Sequence, residues 1–89
     1  MKIKDFEALF PLKAMVTQEI IDNANIMDTR NCIGALTLKS VLPKYTDSLE
    51  WGAISGNIIT DEGIVHISTF KLVDMMMVKE PQEVTFVLI

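Results

Sequence analysis

The sequence lacks the paired cysteines and histidines that stabilise many small folds. It contains one cysteine, Cys32, and one histidine, His66. A lone cysteine excludes an internal disulfide, and one residue of each type is too few to complete a structural zinc site. We therefore predict no metal and no cofactor, and a fold held together by packing and hydrogen bonds.

Catalytic signatures are missing as well. The phosphate-binding motif G-x-x-x-x-G-K-[ST] does not occur, and the four glycines are dispersed. Cys32 and His66 could form a nucleophilic dyad in principle, but no motif surrounds either residue. A free cysteine on the apolar side of a helix is more often a small buried hydrophobe. The sequence therefore predicts a protein that is not an enzyme.

Basic runs and long apolar runs are also absent. The net charge is −4, which disfavours direct binding of nucleic acid because counterion release has little to act on. No apolar run approaches the roughly 18 residues of a membrane span. Asp5 and Glu7 stand where a signal peptide needs an apolar core. We expect a cytoplasmic protein, in the host cytoplasm if the chain is viral, with no membrane partner.

What the sequence does contain is a surplus of apolar residues. Of its 89 residues, 49% are hydrophobic. That length predicts one domain, residues 1–89, with residues 1–11 as a candidate N-terminal arm. A monomer of this size hides only about 60–65% of its unfolded surface. Either a small core leaves some apolar residues exposed, or a homo-oligomer buries the surplus between subunits; we favour the homo-oligomer.

The hydrophobic pattern predicts an α+β fold. A small antiparallel sheet, consisting of a three-stranded meander plus a terminal strand, packs against two or three helices. The meander covers residues 49–68, with one tight turn at Gly56-Asn57 and another at residues 61–63. The terminal strand, residues 83–89, is apolar on both faces, which suits a central or interface position.

Two helices are predicted in the first half of the chain. After a short strand at residues 13–16, Thr17 caps a helix of about two turns. The second helix covers residues 28–42, with Asp28 or Thr29 as its cap, and Pro43 ends it.

The start of the helix over residues 28–42 is the candidate ligand site. The free N–H groups and partial positive charge of a helix N-terminus attract anions. Arg30 and Asn31 fall in that turn, and Trp51 offers a ring on which a base can stack. The alternative is that Arg30 is a surface charge and Trp51 belongs to the core. The predicted ligand-binding residues are Thr29, Arg30, Asn31 and Trp51, beside a small-residue face formed by Arg30, Gly34 and Thr37.

A third helix is predicted over residues 70–79, and it is apolar on two sides. One side then packs in the core. The other side either fills gaps in the core or forms a subunit interface, because methionine serves both purposes. The predicted interface residues are Phe70, Met75, Met76 and Met77.

Three motifs resemble a class of small uncharacterised phage-associated proteins. They are V-T-Q-E-I-I-D-N-A, N-C-I-G-A-L-T-L-K-S-V-L-P and P-Q-E-V-T-F-V-L. Here Cys32 is followed by Ile33 and Gly34 instead of the proline of that class, and an earlier cysteine of the pattern is missing, so no activity is carried over. The resemblance implies a viral or prophage origin, where small proteins often act by binding.

These observations leave three functional hypotheses. The first is a non-enzymatic counter-defence protein that sequesters a host nucleotide-derived signal as a homo-oligomer. The second is an acidic inhibitor that binds a host protein. The third is a virion or structural accessory protein.

Overall fold

The computed structural model describes residues 3–89 and shows an α+β fold. Five antiparallel strands form one sheet in the order β1-β5-β4-β3-β2. The strands are β1 Leu12–Val16, β2 Leu49–Trp51, β3 Ser55–Thr60, β4 Gly63–Thr69 and β5 Gln82–Leu88. The helices are α1 Ile3–Glu7, α2 Gln18–Asn23 and α3 Ile33–Val41, and short 3₁₀ segments cover Pro43–Ser48, Phe70–Leu72 and Met75–Met77.

The sheet has one strand more than predicted. The meander of β2, β3 and β4 is present, and the terminal strand β5 pairs with β4. The short strand at the start of the chain adds to the other side of β5, so β1 becomes an edge strand and β5 lies inside the sheet. This central position suits the apolar character of β5, where Val84 and Phe86 are buried.

The first turn of the meander lies at residues 52–54, before Gly56 and not at Gly56-Asn57 as predicted. Gly56 lies inside β3 and is paired with Trp51. A Cβ atom on Gly56 would lie 2.5 Å from Cε3 of Trp51 and 2.3 Å from the carbonyl oxygen of Glu50. This glycine therefore marks a close approach of a ring and a backbone to the strand, and not a turn.

α2 begins where the sequence predicts. The hydroxyl oxygen of Thr17 accepts a hydrogen bond from the backbone N–H of Ile20 at 3.1 Å, as an N-cap does. The helix ends at Asn23, and the chain turns into a loop over residues 24–32.

α3 begins at Ile33, several residues after the predicted caps Asp28 and Thr29. The backbone before it forms other hydrogen bonds. The carbonyl oxygen of Thr29 accepts from the N–H of Trp51 at 2.8 Å, and that of Asn31 accepts from the N–H of Asn25 at 2.9 Å. Because these carbonyl groups bond outside the helix, residues 28–31 form a loop against β2.

The predicted helix over residues 70–79 is wrong. Two 3₁₀ turns occur instead, and Lys71 and Leu72 have positive φ angles of 67° and 53°. The hydroxyl of Thr69 donates to the carbonyl oxygen of Val73 at 2.9 Å, and the N–H of Met75 donates to the carbonyl oxygen of Ala53 at 2.8 Å. These bonds hold the segment against the β2–β3 turn, and the segment does not form the hydrogen bonds of an α-helix.

One core cluster lies between the inner face of the sheet and the helices. Trp51 and Phe86 meet edge to face with ring centroids 5.2 Å apart. Phe6, from α1, is fully buried and contacts the rings of Phe10 and Tyr45. The candidate N-terminal arm therefore contributes a side chain to the core of its own chain.

Candidate functional site

The predicted anion site at residues 29–31 is a loop in which several polar groups already have partners within the chain. The carboxylate of Asp28 accepts from the N–H of Arg30 at 2.9 Å and from Nδ2 of Asn31 at 2.8 Å. Nε of Arg30 lies 3.5 Å from Oε1 of Glu50. The prediction that Arg30 and Asn31 occupy the first turn of a helix is therefore wrong, because Asp28 organises them into a separate turn that precedes α3 by one residue or more.

Trp51 is buried, with 1% of its surface exposed, so its ring does not offer a stacking platform. Its Nε1 donates to the carbonyl oxygen of Ala53 at 3.3 Å. A Cβ atom on Gly34 would lie 2.1 Å from Cδ1 of the ring. The small-residue face of α3 therefore receives Trp51, and Gly34 and Thr37 are buried against the chain's own core and do not admit a ligand.

The structure does bring two of the predicted residues together. Thr29 and Trp51 both line a small surface cavity of 190 Å³ beside β2, to which Glu50, Ser55 and Asn57 also contribute. Small-molecule sites are generally larger, from about 300 Å³ upward. Arg30 does not line this cavity, but it forms an ion pair with Glu50, which does.

Asp28 titrates below its ordinary range. The pKa of its carboxyl group is lowered from the ordinary value of 3.8, first because the side chain of Asn31 donates to it and then because the N–H of Arg30 does. The folded state therefore favours the carboxylate. Its contribution to stability is present above the unfolded pKa and is lost as the pH falls through the lower folded pKa.

We expect the loop over residues 25–31 to loosen in acid through Asp28. Monitoring the carboxyl carbon by NMR should give a titration midpoint below 3.8, and the amide signals of Arg30 and Asn31 should shift in the same step. Asp28→Asn should remove that step, whereas Asp61→Asn, in the exposed β3–β4 turn, should leave it in place. A midpoint for Asp28 at or above the ordinary value would contradict the described hydrogen bonds.

Cys32 and His66 lie on opposite sides of the sheet and do not form a dyad. Cys32 is buried, and its Sγ lies 3.5 Å from the carbonyl oxygen of Trp51 on the core side. His66 is exposed on the outer face, where its Nδ1 lies 2.7 Å from Oδ1 of Asn57. Its side chain points away from those of Val65 and Ile67, as the strand pattern predicts. Across residues 3–89, no group of three His, Cys, Asp or Glu side chains is placed to hold a metal ion.

An exposed apolar patch lies on the segment that replaces the predicted third helix. Four side chains within eight residues of chain are exposed, and we call Phe70, Leu72, Met76 and Met77 the apolar patch. Met75, predicted as an interface residue, is fully buried in the core, so that prediction is wrong for this residue. The predicted interface residues did not include Leu72, which a helical wheel places on the same face as Met75; the 3₁₀ turns instead expose Leu72 and bury Met75.

No helix in the described part of the chain is long and apolar enough to cross a membrane. Comparison of the chain with protein-family models, with curated proteins and with solved structures finds no match.

Proposed function

We propose that the chain is a non-enzymatic, phage-type accessory protein that inhibits a host protein by binding it through the apolar patch. The exposure of all four patch side chains on one short segment carries this proposal. Apolar surface of this kind on a small protein marks an interaction site when it is concentrated rather than scattered. Methionine and aromatic residues are also enriched in the buried centres of protein interfaces.

The segment is held in place while its apolar side chains face outward. Met75 and Val78 are buried on either side of Met76 and Met77, and the N–H of Met75 is bonded to the β2–β3 turn. Asp74 caps the second 3₁₀ turn, because its Oδ1 accepts from the N–H of Met76 at 2.9 Å. A surface that is ordered before binding loses less conformational entropy when a partner docks.

The left-handed backbone at Lys71 and Leu72 supports the same interpretation. Two consecutive non-glycine residues with positive φ each add roughly 1 kcal/mol or more of strain. The side chain of Leu72, the second of these residues, is 64% exposed. Strained backbone of this kind is concentrated at binding and switch segments in proteins.

The patch fits a partner with an apolar groove. The net charge of −4 on the chain favours a partner whose surface around that groove is basic, since complementary charge speeds association. The methionine side chains of the patch are flexible, which suits a groove of irregular shape.

A charge placed in the patch tests this proposal. The immobilised chain should recover one stoichiometric protein from a bacterial host lysate. Met77→Glu should weaken that binding roughly tenfold or more, because a carboxylate would be buried without a partner. Met27→Glu is the matched control, since Met27 is exposed on the loop before α3, away from the patch in sequence.

Two results would contradict the proposal. One is recovery of no stoichiometric partner by the wild-type chain. The other is equal binding by the Met77→Glu and Met27→Glu variants, which would place the contact elsewhere on the surface. Circular dichroism of both variants checks that each remains folded.

A second candidate function is sequestration of a host nucleotide-derived signal in a homo-oligomer. The shared cavity of Thr29 and Trp51 supports it, but the volume of 190 Å³ makes it the weaker candidate. Calorimetric titration with cyclic and adenosine-derived nucleotides tests it directly. Absence of binding by all of them would rule it out.

A further inference from the structure

β1 is an edge strand whose outer side carries free backbone groups. β5 pairs with one side of β1, and no strand among residues 3–89 pairs with the other. Successive residues of an antiparallel strand direct their N–H and C=O groups to alternate sides. The N–H of Ile89 donates to the carbonyl oxygen of His66 at 3.1 Å, in register with the β4–β5 ladder. The odd-numbered residues of β5 therefore direct their backbone N–H and C=O groups toward β4. The even-numbered residues direct theirs toward β1.

This alternation identifies the free groups of β1. Ala14 is paired with Val84, an even-numbered residue, so the backbone groups of Ala14 bond to β5. The N–H and C=O groups of Lys13 and Met15 consequently point to the open side. Within the described chain, no other group forms a hydrogen bond with them. Both side chains are exposed, and Met15 retains half of its accessible surface.

The opposite edge of the sheet, β2, is covered by another part of the chain. On β2, the N–H of Trp51 donates to the carbonyl oxygen of Thr29, so the loop before α3 covers that edge. An uncovered edge is a template for another strand. The fold therefore leaves β1 as the edge at which a further strand can add.

We propose that the edge of β1 binds the same edge of a second copy of this chain, which joins two sheets into one across a two-fold axis at Ala14. Antiparallel pairing about that axis places Lys13 opposite Met15 of the second copy. Each such pair exchanges two hydrogen bonds, and the axis generates the pair twice. All the free groups of Lys13 and Met15 are then satisfied.

The residues that flank β1 are also compatible with pairing in this register. The axis places Pro11 opposite Thr17 of the second copy. Pro11 has no N–H to donate, and the carbonyl oxygen of Thr17 already accepts from the N–H of Ile21 at 3.1 Å. Pro11 therefore lies opposite a carbonyl group that needs no further donor. The remaining N–H of Thr17 and carbonyl oxygen of Pro11 are free to pair.

Charge also favours a second copy. A lysine on an edge strand ordinarily discourages pairing. In this register, Lys13 lies beside Met15 of the second copy, whose neighbour on β5 is Glu83. The ammonium group then extends along the outer face toward a carboxylate of the other copy. No like charges lie directly opposite each other across the new ladder.

Two surface grooves flank the edge on its helical side. One, of 520 Å³, lies beside Met15 and is lined by Ile20 and Leu36; the other, of 280 Å³, lies beside Leu12 and is lined by Leu9 and Val41. The two-fold axis places the first groove of each copy next to the second groove of the other. Apolar surface beside the new ladder is thereby brought together on both sides of the axis.

Light scattering over a range of concentrations tests this interface, which does not depend on the apolar patch. The wild-type chain should reach twice the monomer mass. Met15→Pro removes an outward N–H and leaves the backbone groups of Ala14 and Val16, which bond to β5, in place. It should raise the dimer dissociation constant roughly tenfold or more, because the axis doubles each lost hydrogen bond.

Met15→Gln keeps the N–H and should remain dimeric, as should Met77→Glu. A strictly monomeric wild type, or equal dissociation constants for Met15→Pro and Met15→Gln, would overturn the proposal.

A disulfide test fixes the register and does not require the proline variant to fold. Residues 13 and 15 of opposite copies would have Cα atoms about 5.5 Å apart, within disulfide range. A mixture of Lys13→Cys and Met15→Cys chains should oxidise to a covalent heterodimer. Neither variant alone should cross-link to the same extent, and wild-type Cys32 is buried. Preferential cross-linking of either variant with itself would contradict the two-fold axis at Ala14.

Discussion

Gly34→Ala should lower the free energy of unfolding by about 3 kcal/mol, although alanine is the better helix former. In an isolated helix the same change stabilises by up to about 1 kcal/mol. Here the new methyl group would lie 2.1 Å from Cδ1 and 2.3 Å from Nε1 of Trp51. The indole is buried and packed edge to face against Phe86, so we expect the new methyl group to push α3 and the ring apart.

Gly52→Ala provides the matched control for this prediction. A Cβ atom there meets only the carbonyl oxygen of Ser55, at an ordinary 3.5 Å. Its effect on the free energy of unfolding should stay within about 0.5 kcal/mol. Urea unfolding followed by tryptophan fluorescence measures both variants. A stabilised Gly34→Ala variant would show that Trp51 does not pack on this face of α3.

Phe6→Ala should destabilise the chain by about 3–5 kcal/mol, as the loss of a fully buried phenylalanine does. The ring is 0% exposed and lies 4.9 Å from the ring of Tyr45 and 5.6 Å from that of Phe10, measured between centroids. Its removal leaves a cavity where α1 meets the 3₁₀ segment Pro43–Ser48. Thermal unfolding at fixed concentration measures the loss.

Phe70→Ala removes the same ring from an exposed position and should change stability by no more than about 0.5 kcal/mol. Repeating the Phe6→Ala measurement at several protein concentrations distinguishes packing of α1 on its own chain from packing on a neighbouring subunit. A loss that is independent of concentration agrees with packing of α1 on its own chain. A loss seen only where the protein self-associates would instead assign Phe6 to a neighbouring subunit, as an exchanged arm.

Local patterns of the sequence were sufficient to predict several elements. Thr17 followed by a one-sided apolar run predicts α2 and its cap. The strand pattern over residues 49–68 predicts a three-stranded meander, and β2, β3 and β4 form one. The two-sided apolar character of residues 83–89 predicts a central or interface position, and β5 lies inside the sheet between β1 and β4. Each of these depends on interactions between residues close in sequence, or on burial that follows the strand period.

The predicted helix start at Asp28 or Thr29 is wrong, because distant contacts overrode a local helix signal. Asp28 and Thr29 are good capping residues, yet the carbonyl oxygen of Thr29 bonds to Trp51, twenty-two positions further along the chain. The separation in sequence of these partners gives no periodic signal. The tryptophan predicted to stack on a ligand instead fills the space above Gly34.

By itself, the sequence determined the α+β class, the cap of α2, the strands that local chemistry encodes, and the excess of apolar residues. Only the tertiary structure decided where that excess lies. It buried Met75 and exposed Met76 and Met77, because hydrogen bonds from Thr69 and Met75 replaced a helix with 3₁₀ turns. It also left β1 at an open edge, since strand order depends on which strands meet after folding and not on the pattern within any one of them.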